Sequence, residues 1–309
     1  MPALIDHNFL FVVGKGGVGK TTVAASLGLA AARAGKRTLI AMTNAKERLS
    51  HLLETDPIGT DVKHVGGPGV PLFAVNMTPD AALEEYGMMV LKIRSLYKAL
   101  FENRFVRAFL RGTPGIEAWA MLGKAYFHAA GHGPEGNGEF DLVILDAPAT
   151  GHALDMLRVP QVIVDVAPPG LLRREAERAL ELFRDQERAG ALLVTLPEDM
   201  PTNESIELHE AITGELRMSV PSLVINQVLP QLFEESARET LAGLPEKLEE
   251  GSPIASLARA GRLRVLREAT QAESLARLAE VIEAPRVKLP RLFDPEFRRD
   301  AIEALSRAF

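Results

Sequence analysis

Short runs of apolar residues recur along the chain, at Phe9 to Val13, Thr38 to Met42, Leu72 to Val75, Leu142 to Leu145, Ala191 to Leu196 and Leu223 to Ile225. They are rich in β-branched and aromatic residues and lack the apolar-polar alternation of a half-exposed strand. Such runs suit strands buried on both faces of a parallel sheet. Longer amphipathic stretches lie between them. That alternation predicts an α/β fold with a doubly wound, mostly parallel sheet and helices on both faces.

Between Pro79 and Ala130 the alternation stops. Leu83, Tyr86, Val90, Ile93, Tyr97 and Leu100 step by three and four, which is one apolar helix face. A second helical piece, Pro114 to Ala129, follows the Arg111-Gly112-Thr113-Pro114-Gly115 break, and the glycine-rich segment Gly131 to Gly138 leads back. The expectation is a single domain, residues 1–309, with a helical insertion over about 79–138. Leu171 to Glu187 and Pro201 to Leu216 predict further helices. Gln161 to Val166 stays open, because its Val and Ile content suggests a strand while the flanking prolines suggest a connection.

At the end of the first apolar run stands Gly14-Lys15-Gly16-Gly17-Val18-Gly19-Lys20-Thr21, the full spacing of a phosphate-binding loop between a strand and a helix. Glycines let successive backbone amides turn toward phosphate oxygens, and the helix dipole places positive potential at the same point. Lys20 is expected to neutralise the β- and γ-phosphates. The Thr21 hydroxyl is a hard ligand for Mg2+, and Thr22 is placed at the α-phosphate. The implied ligand is ATP or GTP with magnesium. A dinucleotide fold is the other glycine-rich option, but it has no use for Lys20-Thr21, and no acidic residue ends the Thr38 to Met42 run for ribose recognition.

The formal net charge of −6 argues against a surface that grips nucleic acid. With no cysteine in the chain, disulfides, iron–sulfur clusters, thiolate zinc sites and trithiolate metalloid sites are excluded. The first residues lack a basic start followed by an apolar stretch, so no signal peptide is expected. The most apolar helical window, Val23 to Ala32, is far shorter than a membrane span. These features predict a cytoplasmic protein.

Lys15 is not required by the general phosphate-loop pattern, which leaves it without a role on its own phosphates. The stretch Gly14 to Thr22 resembles the deviant loop of the dimeric ATPases that include the arsenite-pump and tail-anchored-protein-targeting ATPases. In that family the extra lysine reaches the partner subunit's phosphates in trans, as an arginine finger does. Asp146-Ala147-Pro148-Ala149-Thr150-Gly151-His152, after the Leu142 to Leu145 run, is similar to the family's second switch, which reads close to DTAPTGH. The resemblance implies that Asp146 holds a magnesium-bound water and that the Gly151 amide senses the γ-phosphate. Thr195-Leu196-Pro197-Glu198, Thr113 to Glu117 and Val224-Ile225-Asn226-Gln227 are further matches, so the likeness covers essentially the whole chain. By the same resemblance Asn226 recognises adenine, pairing with N6–H and N7 as asparagine does in DNA, which favours ATP. An asparagine after a strand is also a common turn former.

The chain departs from the family in its first switch. Where relatives read close to DPAHSLS, it has Thr43-Asn44-Ala45-Lys46-Glu47-Arg48-Leu49-Ser50, so that Asn44 replaces the aspartate that positions the attacking water. An asparagine carbonyl can orient water but cannot take its proton. Glu47 is the nearest carboxylate that could substitute. The metalloid site and the zinc clamp of the named relatives both need cysteines, so neither transfers.

Met88, Met89 and Met121 suit gap-filling core better than a client surface. His128, His132 and His152 read as surface or satisfied loop residues, and the Arg173, Arg174, Arg178, Arg184, Arg188 series as a solvated helix face. The expected function is a dimeric ATPase switch, pairing with itself or with a paralogue and acting on a protein client. The alternative is an ATP-holding subunit that hydrolyses weakly and pairs with an intact paralogue.

Overall fold

The computed structural model describes residues 3–43, 47–91, 115–130, 139–148, 150–244 and 253–309. Within them an eight-stranded sheet is built from β1 (Phe9–Val13), β2 (Thr38–Thr43), β3 (Lys63–His64), β4 (Leu72–Met77), β5 (Leu142–Asp146), β6 (Ala189–Thr195), β7 (Ser222–Val228) and β8 (Arg286–Pro290). Its order is β3-β4-β2-β5-β1-β6-β7-β8, and every neighbouring pair is parallel except β3 with β4. The fold is therefore α/β, as the alternation of apolar runs predicts.

The all-apolar character of β1 follows from burial on both faces. Phe9, Phe11 and Val13 face one core, shared with Trp119, Leu157 and Phe183. Leu10 and Val12 face the other, shared with Leu27 and Leu305. On the first face the Phe9 and Phe11 rings lie 4.6 Å apart and the Phe183 ring meets Phe11 edge-on at 4.9 Å. Deleting such a ring from a core costs about 3–5 kcal/mol, so this packing holds the central strand in place. Helix α1 (Lys20–Arg33) covers the second face, and its Gly28 lies so close to Ile40 that a Cβ there would stand 2.9 Å from Ile40 Cδ1.

Between these come α2 (Leu49–Leu53), α3 (Pro79–Leu91) and α4 (Ile116–Ala130). In the region expected as a helical insertion, α3 and α4 pack together, with the Tyr86 and Trp119 rings 5.9 Å apart and perpendicular. Trp119, Leu122 and Ala125 join the same core as Phe9 and Phe11. The remainder of that region, 92–114 and 131–138, lies outside the described residues and takes with it Ile93, Tyr97, Leu100 and His132.

The open segment Gln161 to Val166 is the end of a helix, α5 (Thr150–Val166), which carries Pro160 inside it. Ala153, Met156, Val159, Pro160 and Ile163 are buried at steps of three and four, and this face on the core decides the matter against a strand. Next come α6 (Leu171–Arg184) and α7 (Asp199–Glu210), the latter ending in a π-helical turn, Ala211–Glu215. Then follow α8 (Glu235–Ala242), the 29-residue α9 (Pro253–Val281) and α10 (Arg299–Ser306). Among the described residues no helix is long and apolar enough to cross a membrane.

Candidate functional site

Strand β1 sits between β5 and β6, with Val12 beside Asp146 and Val13 beside Leu193, so the loop leaving Val13 emerges at the carboxyl ends of three adjacent strands. Open α/β sheets bind ligands at this end. Two glycines of the loop are fixed by close approach. A Cβ on Gly14 (φ +154°) would lie 2.2 Å from the Val194 carbonyl oxygen, and one on Gly19 (φ +91°) would lie 2.3 Å from Asn226 Nδ2. Gly16 and Gly17 are exposed at the tip, whereas the Val18 side chain is buried beneath the loop.

Lys20 opens α1 and folds back over the loop, its Nζ donating to the carbonyls of Gly14 (3.0 Å) and Lys15 (3.1 Å). Burial lowers its pKa, while the charge of Asp146 pulls it up. Thr21 Oγ1 donates to Asp146 Oδ2 at 2.6 Å. Asp146 is only 5% exposed, and that burial raises its pKa against the opposing effects of the Thr21 hydrogen bond and of Lys20. A hydroxyl, a carboxylate and an ammonium thus converge at the loop, and two hard oxygen donors suit magnesium. Thr43 at the end of β2 donates from Oγ1 to the Asp146 carbonyl (3.2 Å), which ties β2 to the same point.

Lys15 takes the opposite course. Its carbonyl accepts from Lys20, but its Nζ lies 2.6 Å from Glu204 Oε1 on α7, with both side chains about one-third exposed. Nothing local in the sequence marks Glu204. Asn44 lies outside the described residues. Glu47 does not offer a free carboxylate, since its two oxygens accept from the Ser50 amide (2.7 Å) and the Ser50 hydroxyl (2.6 Å). Gly151 is exposed in the first turn of α5, with open space where a Cβ would stand.

Asn226 is buried against the loop. Its Nδ2 donates to the Val18 carbonyl (2.9 Å) and its Oδ1 accepts from the Gln227 amide (2.9 Å), so its amide pins the phosphate loop to β7. It also walls a cleft of about 270 Å3 beside the loop, together with Gly19, Thr22, Pro290, Phe297 and Leu305. Strand β8 and its continuation, which no apolar run of the sequence predicts, build the far wall.

Two other readings change. His128 is neither a surface nor a loop residue: it is buried on α4, with Nδ1 3.1 Å from Glu139 Oε2 and its ring against Phe140. Burial, the largest effect, lowers its pKa. The arginine face of α6 is not wholly solvated either, because Glu175, the partner of Arg178 at 3.0 Å, is buried. Among the described residues no group of three acidic or histidine side chains could hold a metal by itself.

A family model described as anion-transporting ATPase, ArsA type, matches residues 7–167, just over half of the chain. The chain belongs to this family. The match takes in the phosphate loop, the Asn44 segment and Asp146 to His152. Among relatives, the ATPase BagA of Mycobacterium tuberculosis is 26% identical over 306 residues, covering 92% of this chain and 87% of that protein. ATPase GET3B of Arabidopsis thaliana is 28% identical over 270 residues, covering 72% and 65%. A putative arsenical pump-driving ATPase of Halobacterium salinarum is 28% identical over 250 residues, covering 75% of this chain but 37% of the relative. An anion-transporting ATPase family member binds nucleotide and has an ATP-driven function.

Proposed function

We propose that this family member is a dimeric switch that hydrolyses ATP to ADP and phosphate and uses the change to act on a protein partner. The observation that carries this reading is the divergence of the two loop lysines. Lys20 covers the loop's own carbonyls beside Asp146, while Lys15 is turned outward onto Glu204. When ATP enters, Lys20 exchanges the two carbonyls for β- and γ-phosphate oxygens. Magnesium, held by the Thr21 hydroxyl and through water by Asp146, would neutralise charge on those oxygens. The adenine lies in the cleft of Asn226, Pro290 and Phe297, and Thr22 lies at the α-phosphate. Lys15 leaves Glu204 for the phosphates of the partner subunit, so closure of the dimer completes the charge around the γ-phosphate. Asn44 orients the attacking water, and the segment of Gly151 carries the loss of γ-phosphate into α5.

The test is single-turnover hydrolysis with enzyme in excess over radiolabelled ATP, run beside sedimentation with and without ATP. The wild-type chain should cleave ATP and dimerise in its presence. Lys15→Ala should bind ATP with little change yet lose dimerisation and about 100-fold or more in cleavage rate, the usual cost of one charge-stabilising donor. Full activity in a monomer would overturn the proposal.

A second reading rests on Asn44 and on the engagement of Glu47 by Ser50. With no free carboxylate there among the described residues, the chain would hold ATP and pair with a paralogue that hydrolyses it. ATP retained uncleaved for hours by a stable complex would favour that reading.

A further inference from the structure

Away from the phosphate loop, the middle of α5 faces a groove of about 480 Å3 that is closed by α6 and by the turn following Ala211–Glu215. Its floor is apolar, built on Leu157, Phe183 and Met218, all nearly fully buried, and Val162 on its wall is 49% exposed. Its rim carries three arginines. Arg158 is neutralised by Glu215, which accepts from Nε and Nη2 at 2.7 Å each. The other two are not. Arg184 donates to the neutral Gln161 amide oxygen (2.8 Å), and Arg217 has no hydrogen bond or ion pair among the described residues. The nearby carboxylates Asp155 and Asp165 bond Arg158 and Gln161 instead.

Arg217 also stands at an unfavourable backbone position, φ +55°. The amides on either side of it close the end of the helix, Leu216 onto Ala211 and Met218 onto Ile212. Glycine is the usual occupant of such a position, and a bulky residue there is strained. Such strain concentrates at binding sites. A groove of this volume with an apolar floor and a few convergent polar groups has the form of a small-molecule site. Two guanidinium groups without carboxylate partners match a carboxylate, which arginine binds through paired N–H donors.

We propose that this groove binds a small amphiphilic carboxylate, with its apolar body over Leu157, Val162 and Phe183 and its carboxylate between Arg184 and Arg217. Because α5 begins at Thr150, beside Gly151, occupancy of the groove and of the nucleotide site influence each other reciprocally. That coupling rests on the switch reading above; the binding does not.

The test is calorimetric titration of the full, nucleotide-free protein with decanoate below its micellar concentration, with decanol as the neutral control and acetate as the head-group control. Decanoate should bind with a micromolar Kd, about tenfold or more tighter than either control. The double variant Arg184→Gln/Arg217→Gln changes exposed side chains only, so it should fold and bind ATP as before while losing about tenfold or more in decanoate affinity. Val162→Asp should weaken decanoate through the apolar contact. No binding below about 1 mM, equal binding of decanol, or indifference to the arginine variant overturns the site. If decanoate binds as expected without shifting ATP affinity, the site stands and the coupling falls.

Discussion

Strands β1 and β2 lie on either side of β5, which ends in Asp146, and the described residues that follow each strand are held differently. After β1, the positions are fixed by contact: Gly14 under the Val194 carbonyl, Gly19 against Asn226, and Lys20 over two loop carbonyls. After β2 the sequence carries Asn44, where the resemblance leads one to expect an aspartate, and Glu47 is engaged with Ser50. The first loop keeps what phosphate binding needs, which is close backbone approach and a positive charge. On the proposed function, the second offers no free carboxylate among its described residues to deprotonate water. On that same proposal, a change at Asn44 should alter cleavage and leave nucleotide binding largely intact, whereas a change in the first loop should weaken both.

The largest effect is expected at Lys20. On the proposed function, Lys20→Ala removes the cation that moves onto the chain's own phosphates, and it removes the Nζ donor to the Gly14 and Lys15 carbonyls. Single-turnover cleavage should fall by about 1,000-fold or more, with ATP affinity reduced as well. If equilibrium binding and cleavage both survived, the contrast between the two loops would have no functional content.

The sequence made these two loops unequally legible for the same reason. Gly14 to Thr21 is a local pattern whose spacing alone specifies a turn between strand and helix, and β1 announces itself because both of its faces are buried. Strand β8 gives no such signal: Arg286 and Lys288 face outward at the sheet edge and Leu289 alone is fully buried. Pro160 obscured the helical face of α5, although Met156, Val159 and Ile163 carry it. The Lys15–Glu204 pair was out of reach altogether, because it joins residues 189 positions apart through the packing of α7 beside β6. Local spacing reveals a phosphate loop; it does not reveal what restrains the loop's second lysine.

Restoring the family's residue in the second loop should raise activity without touching the first. Asn44→Asp is expected to increase the single-turnover rate by about 100-fold, the scale of a positioned general base, at unchanged ATP affinity. A rate that does not move would mean that attack is limited elsewhere, most directly by dimer closure, and the comparison of the two loops would lose its kinetic meaning.

The smallest effect belongs to the contact between the first loop and α7. The Lys15–Glu204 pair is about one-third exposed on both sides, and exposed pairs contribute about 0–1 kcal/mol. Glu204→Gln removes the charge that competes with a partner's phosphates for Lys15 and keeps the side chain's shape. ATP-driven dimerisation, followed by sedimentation, should tighten by up to about fivefold, which is the equilibrium equivalent of that energy. Cleavage within the formed dimer should be unchanged. A weaker dimer would give the pair the opposite sense: Glu204 would itself belong to the subunit contact, and Lys15 in this structure would already hold its working position rather than wait on α7 for a partner.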